Sequence, residues 1–134
     1  MLLPHHAVVA VADGHNLTLF RNVGQGGEIK LQPMDGPGKL GGEAGSGGRH
    51  HSSSANPDAK RLEEDDFASG AADWLNSQVL GGKVEALFVI ASPKTLGELR
   101  LGYHAQLKAK LLGEVAKDMV GRAPSDVEAL VAAA

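Results

Sequence analysis

The spacing of hydrophobic positions changes period along the chain. His6 to Ala12 is almost continuously apolar and β-rich, and it ends at Asp13-Gly14-His15-Asn16, a turn-forming run. Leu17 to Val23 then sets Leu17, Leu19 and Arg21 against Thr18, Phe20 and Asn22, the period of a second strand. Gly24-Gln25-Gly26-Gly27 makes another tight connection. Glu28 to Gln32 reads as a third strand with Ile29 and Leu31 on one face. Three short strands joined by turns form an antiparallel meander.

From Asp35 to Pro57 the pattern vanishes. Seven of these residues are glycine and the only large aliphatic is Leu40, so the segment has almost nothing to bury. It is expected to be a flexible loop. A helical period comes next. Asn56 suits an N-cap and Pro57 the first helical position, where no amide donor is needed. Ala68, Ala72, Leu75 and Val79 recur at helical spacing, Phe67, Ala71 and Trp74 widen the stripe, and Gly81-Gly82 ends it.

Val84 to Ala91, "VEALFVIA", is the most strongly apolar strand. Ser92-Pro93 is expected to cap a helix with Leu96 and Leu99 inward, broken at Gly102 before a short continuation through Leu107. Leu111 to Lys117 reads as a fifth strand, because a helix there would leave Val84 to Ala91 without a partner. Pro124 opens a terminal helix with Val127, Leu130 and Val131 inward. The order β-β-β-α-β-α-β-α implies one α/β domain over 1–134, with helices covering a mixed five-stranded sheet. That connectivity resembles the ribonuclease H-like fold. The glycine-rich segment, 35–57, lies between the meander and the first helix.

Composition narrows the function classes. The 134 residues include no cysteine, which excludes disulfides and thiolate metal sites. The N-terminus lacks a basic n-region, its apolar stretch runs into Asp13, and no apolar run is long enough to cross a bilayer; a cytoplasmic protein without membrane contact is expected. A net charge of −3 argues against a general nucleic-acid binder. The charge is unevenly placed. Six acids and two bases lie between Asp58 and Asp73, whereas six bases and three acids lie between Lys94 and Arg122.

Common catalytic and cofactor patterns are missing. Six histidines raise the question of a metal, yet His5-His6 and His50-His51 are sequence neighbours whose side chains diverge in extended chain, and no HExxH spacing exists. Asp13 with Glu63 or Glu64 is the nearest approach to a two-metal carboxylate set, but Ala91-Ser92-Pro93-Lys94 supplies a cation where a further acid is needed. Asp13 reads better as a turn residue. GxxxxGK[ST] and G-x-S-x-G do not occur, and Gly36-Pro37-Gly38-Lys39-Leu40-Gly41, although it spells GxGxxG, does not run from a strand directly into a helix as a phosphate loop does. No metal, cofactor or catalytic residue is assigned.

Four phrases, "AVVAVADGHNLTLFRN", "NPDAKRLEEDDFASGAADWLN", "LFVIASPKTLGELR" and "GEVAKDM", together resemble the bacterial host-attachment protein family, whose members are described as required for attachment to host cells. The resemblance runs from about His5 onward and rests on the succession of phrases. That family in turn resembles the middle domain of archaeal and eukaryotic class I peptide-chain release factors. There, a loop between the meander and a long helix carries Gly-Gly-Gln, whose glutamine amide helps place water for hydrolysis of the peptidyl-tRNA ester. The glycine-rich segment occupies the corresponding place here. Within it Gly41-Gly42 is followed by Glu43 and Gly47-Gly48 by Arg49, while Gly24-Gln25-Gly26 lies in the preceding hairpin with the wrong order. A glutamate carboxylate accepts hydrogen bonds but cannot donate as an amide does.

The resemblance implies an RNA- or translation-machinery-associated binding module with Asp13, Lys94, Arg100 and Lys117 as binding residues. The basic run Arg49-His50-His51 of the glycine-rich segment adds Arg49 and His50 as a cationic limb for phosphate, and without Gly-Gly-Gln the reading leans away from an enzyme. RNA or the ribosome is the expected partner. The rival expectations are a hydrolase of peptidyl-tRNA or nucleic acid, and a protein-interaction module acting indirectly in cell attachment.

Overall fold

The computed structural model describes residues 2–37 and 57–134, with the first helix's side chains described from Glu64 onward. Its strands are β1 (Val8–Ala12), β2 (Leu17–Asn22), β3 (Leu31–Met34), β4 (Leu87–Ala91) and β5 (Leu111–Ala116). The helices are α1 (Pro57–Leu80), α2 (Pro93–Gly102), α3 (Ala105–Lys110) and α4 (Pro124–Ala133). The strands form one mixed sheet in the order β3-β2-β1-β4-β5. β1 pairs antiparallel with β2 and parallel with β4, β2 pairs antiparallel with β3, and β4 pairs parallel with β5. This is the arrangement expected of a ribonuclease H-like fold.

β1 and β4 are buried along their whole length because helices cover both faces of the sheet. On one face, Val8, Ala10, Ala12, Leu87, Val89 and Ala91 pack against Phe67, Ala68, Ala71, Ala72, Leu75 and Val79 of α1, with Leu96, Leu99 and Leu107 completing the layer. On the other, Val9, Val11, Phe20, Phe88 and Ile90 pack against Met119 and against Val127 and Val131 of α4. Alanines along α1 bring the helices close. A Cβ placed on Gly102, at the end of α2, would lie 2.9 Å from the Ala72 Cβ. Trp74 is partly buried and packs against the first of these layers.

Several expected boundaries move, those of the third and fourth strands most. The third strand is Leu31–Met34 in place of Glu28 to Gln32. Gly26 and Gly27 adopt positive φ of 64° and 93°, and Glu28 N donates to Gln25 O, so the turn uses the residues assigned to the strand. Pro33 is tolerated in β3 because this is an edge strand. β4 starts at Leu87, since Val84 N donates to Gln78 O and belongs to the end of α1. Ser92 occupies the N-cap position of α2 without a side-chain cap. Its hydroxyl bonds Thr95 Oγ1 at 3.0 Å, while its carbonyl accepts from Leu96 N. Of the glycine-rich loop expected over 35–57, residues 38–56 lie outside the described residues.

Candidate functional site

The two inner parallel strands and β5 end in register. Ala12 lies opposite Ala91, and Ala91 opposite Ala116. The ladder continues one step beyond them, with Ser92 N donating to Ala12 O at 3.4 Å and Lys117 N to Ala91 O at 2.8 Å. Asp13, Ser92 and Lys117 therefore leave the sheet side by side at its carboxyl edge, where open α/β sheets commonly bind ligands. The antiparallel β3 also ends on this edge, since Met34 pairs with Leu19 and Gly36 approaches the Leu17 carbonyl.

Asp13 is held by its own turn. Its Oδ1 accepts from His15 N at 2.8 Å and Asn16 N at 2.7 Å, and its backbone N donates to Asn16 O. Those bonds set the β1–β2 turn and turn His15 toward α1. There Glu64 joins two segments, its Oε1 lying 3.1 Å from Lys94 Nζ and its Oε2 3.3 Å from His15 Nε2. The carboxylate also lies close over Gly14, where a Cβ would come within 3.1 Å of it. Lys94 is more than half exposed, so the pair contributes little to stability and remains open to competition from another anion.

The sites expected from sequence do not all converge. Lys94 and Lys117 share the carboxyl edge with Asp13. Lys117 is exposed and its side chain has no hydrogen bond or ion pair among the described residues. Arg100 stands apart from them. Six residues along α2 separate it from Lys94, roughly 9 Å of helix, and its Nε bonds Glu114 Oε1 at 2.9 Å beside the middle of β5. Asp118 accepts from Val120 N at 3.4 Å, so it serves the turn after β5. Arg49 and His50 lie outside the described residues.

Behind the Arg100–Glu114 pair sits Tyr103. Its hydroxyl and Glu114 Oε2 are both sealed from solvent and approach one another, but outside the geometry of a formed hydrogen bond. Burial first, and then the Glu114 charge, push the Tyr103 hydroxyl well above the usual phenolic range, with Arg100 opposing the shift. The phenol is thus neutral at ordinary pH. Among the described residues, no group of three or more histidines or acids is placed to hold a metal ion. No helix among them is long and apolar enough to cross a membrane.

Sequence reasoning missed the pairing of His15 with Glu64. They are 49 positions apart, and no local spacing connects them. Glu64 was legible as an acid near the start of α1, but what it faces depends on how α1 lies across the sheet.

A search of curated proteins returns no match. The family model described as bacterial archaeo-eukaryotic release factor family 12 matches residues 6–131. The match spans the meander, α1 to α3, the parallel strands and most of α4, and it carries the release-factor relation without the host-attachment label. The chain belongs to bacterial archaeo-eukaryotic release factor family 12.

Proposed function

We propose that this chain is a non-catalytic, cytoplasmic binding module for RNA or the translation machinery, and that it grips phosphate at the carboxyl edge of its sheet. Lys94 and Lys117 supply the cations, and Arg49 and His50 of the glycine-rich segment add theirs. Asp13 shapes the turn beside them, and Arg100, farther along α2 and paired with Glu114, would add a contact only for a ligand long enough to reach it. One observation carries the reading: the described start of the glycine-rich segment, at Gly36, lies at the same edge as Lys94 and Lys117. A phosphate arriving there competes with Glu64 for Lys94. Such binding is strongly salt-dependent because it releases condensed counterions.

The release-factor relation supports translation as the setting. It does not extend to ester hydrolysis, for which this sequence offers Gly41-Gly42-Glu43 and Gly47-Gly48-Arg49 in place of Gly-Gly-Gln. A role in host attachment would act indirectly, through this binding.

Cosedimentation with ribosomes tests the proposal. Association at low salt is expected to fall steeply as salt rises. The double variant Lys94→Gln/Lys117→Gln should weaken it roughly tenfold, whereas Glu64→Gln should strengthen it by releasing Lys94. Sedimentation that stays at background in low salt rejects the reading. Repeating the pull-down with nuclease separates contact through RNA from contact through protein.

A further inference from the structure

At the opposite end of the sheet, His5, His6, Arg21, Lys83 and Glu85, with Ala7, Gly82 and Ala86, line an open groove of about 320 Å³. Val8 lies opposite Arg21 on one side and Leu87 on the other, so the groove runs across the amino ends of β1 and β4. It shares no residue with the carboxyl edge, and a ligand held here is independent of the function proposed for that edge.

A buried asparagine builds this groove. Asn22 is fully buried, and its Nδ2 donates to the Leu3 carbonyl at 2.9 Å and the Pro4 carbonyl at 3.2 Å. Its Oδ1 accepts from Gly24 N at 3.0 Å and Lys30 N at 2.9 Å. Its backbone carbonyl accepts from His6 N at 2.7 Å. One side chain thus fastens the N-terminal segment and the β2–β3 loop together, and the two histidines sit on the resulting turn. His5 Nδ1 donates to the Gly24 carbonyl at 2.8 Å, which leaves Nε2 as its available nitrogen. Gly24 packs against the backbone of Glu28, which leaves no room for a Cβ there.

His6 has φ of 73°, and it is the sole non-glycine residue with positive φ among those described. A histidine held in this sparsely populated region costs stability, and such strain often marks a ligand site. The two imidazole centres lie 3.8 Å apart, inclined at 47°. The side chains of Arg21 and Lys83 make no hydrogen bond or ion pair among the described residues, so two cations line the groove unneutralised by direct contact. Glu85 is the only acid in the lining, which leaves the fixed charge positive before either histidine is protonated.

We infer that this groove is a phosphate-class oxyanion site, with Arg21 and Lys83 supplying charge and the His5–His6 pair supplying directed donors. A guanidinium matches two oxygens of a tetrahedral anion, and an imidazolium donates through the nitrogen left available. The same chemistry is presented by inorganic phosphate and by a phosphodiester in RNA.

Ring-nitrogen NMR of the full chain during titration with inorganic phosphate tests the inference. His5 and His6 signals should shift saturably, and Arg21→Gln/Lys83→Gln should weaken the apparent affinity about fivefold, as expected for loss of two solvent-accessible charge contacts. Neither replaced side chain is buried, so an unchanged amide spectrum away from the groove would verify the fold. A parallel titration with short single-stranded RNA identifies the source: the same histidine shifts assign the site to a phosphodiester, and shifts with phosphate alone assign it to a free anion. Absence of saturable shifts, or shifts of equal affinity in the double variant, overturns the inference.

Discussion

At the scale of single residues, two polar side chains among the described residues stand at opposite extremes. Asn22 uses donors and acceptor alike on backbone groups. Tyr103 shows the opposite condition, with a sealed hydroxyl facing an equally unpartnered Glu114 oxygen. A buried hydroxyl without a partner costs about 1–3 kcal/mol, so Tyr103→Phe should keep or raise the thermal midpoint at neutral pH. The alkaline limb gives a second readout. Because the folded phenol ionises later than the unfolded one, the unfolded state loses its proton first as pH rises. Stability then declines as pH climbs through the ordinary tyrosine pKa of about 10. Thermal melts recorded across that range should decline less steeply for Tyr103→Phe. An unchanged slope would mean that the phenol does not contribute to the alkaline loss.

At the scale of elements, α1 is the piece on which most else rests. Its alanine-rich stripe lets it lie close to the sheet and to α2, and it carries Glu64 over the β1–β2 turn. The approach at Gly102 leaves no room for even a methyl group. Gly102→Ala should therefore lower stability by about 1–3 kcal/mol through overpacking, measured by urea unfolding. A gain would show that α2 can shift away from Ala72 at little cost. The α1 stripe was legible beforehand, since Ala68, Ala72, Leu75 and Val79 repeat with the helical period. β3 was not. Ile29 and Leu31 alternate like a strand, but the turn at Gly26-Gly27 and the Asn22 side chain claim Glu28 to Lys30 for the loop. A buried asparagine opposite a loop leaves no trace in hydrophobic periodicity.

At the scale of the whole molecule, the two proposed anion sites lie at opposite ends of one sheet, in a chain whose net charge is −3. The negative balance is concentrated toward the start of α1, which also supplies the carboxylate that holds Lys94. If the glycine-rich segment contributes to binding through Arg49 and His50, replacing residues 38–56 by a Gly-Ser linker of equal length should leave the melting temperature nearly unchanged. Ribosome association should fall. Equal association would confine binding to the folded body, and a large loss of stability would assign the segment a structural role.

Order and identity of the elements were written into the chain. Strand runs alternate or stay apolar, the long helix carries a broad apolar stripe, and Pro57, Pro93 and Pro124 mark helix starts where a missing amide donor does no harm. These are short-range signals, set by backbone chemistry and by which side chains must leave water. What only the folded molecule decided was proximity. Glu64 meets His15 and Lys94, Arg100 meets Glu114, and the His5–His6 turn meets Arg21 and Lys83, because strand pairing and helix docking bring distant positions together. Periodicity records which face a residue turns toward the core, whereas a polar site depends on which exposed groups end up beside one another in space.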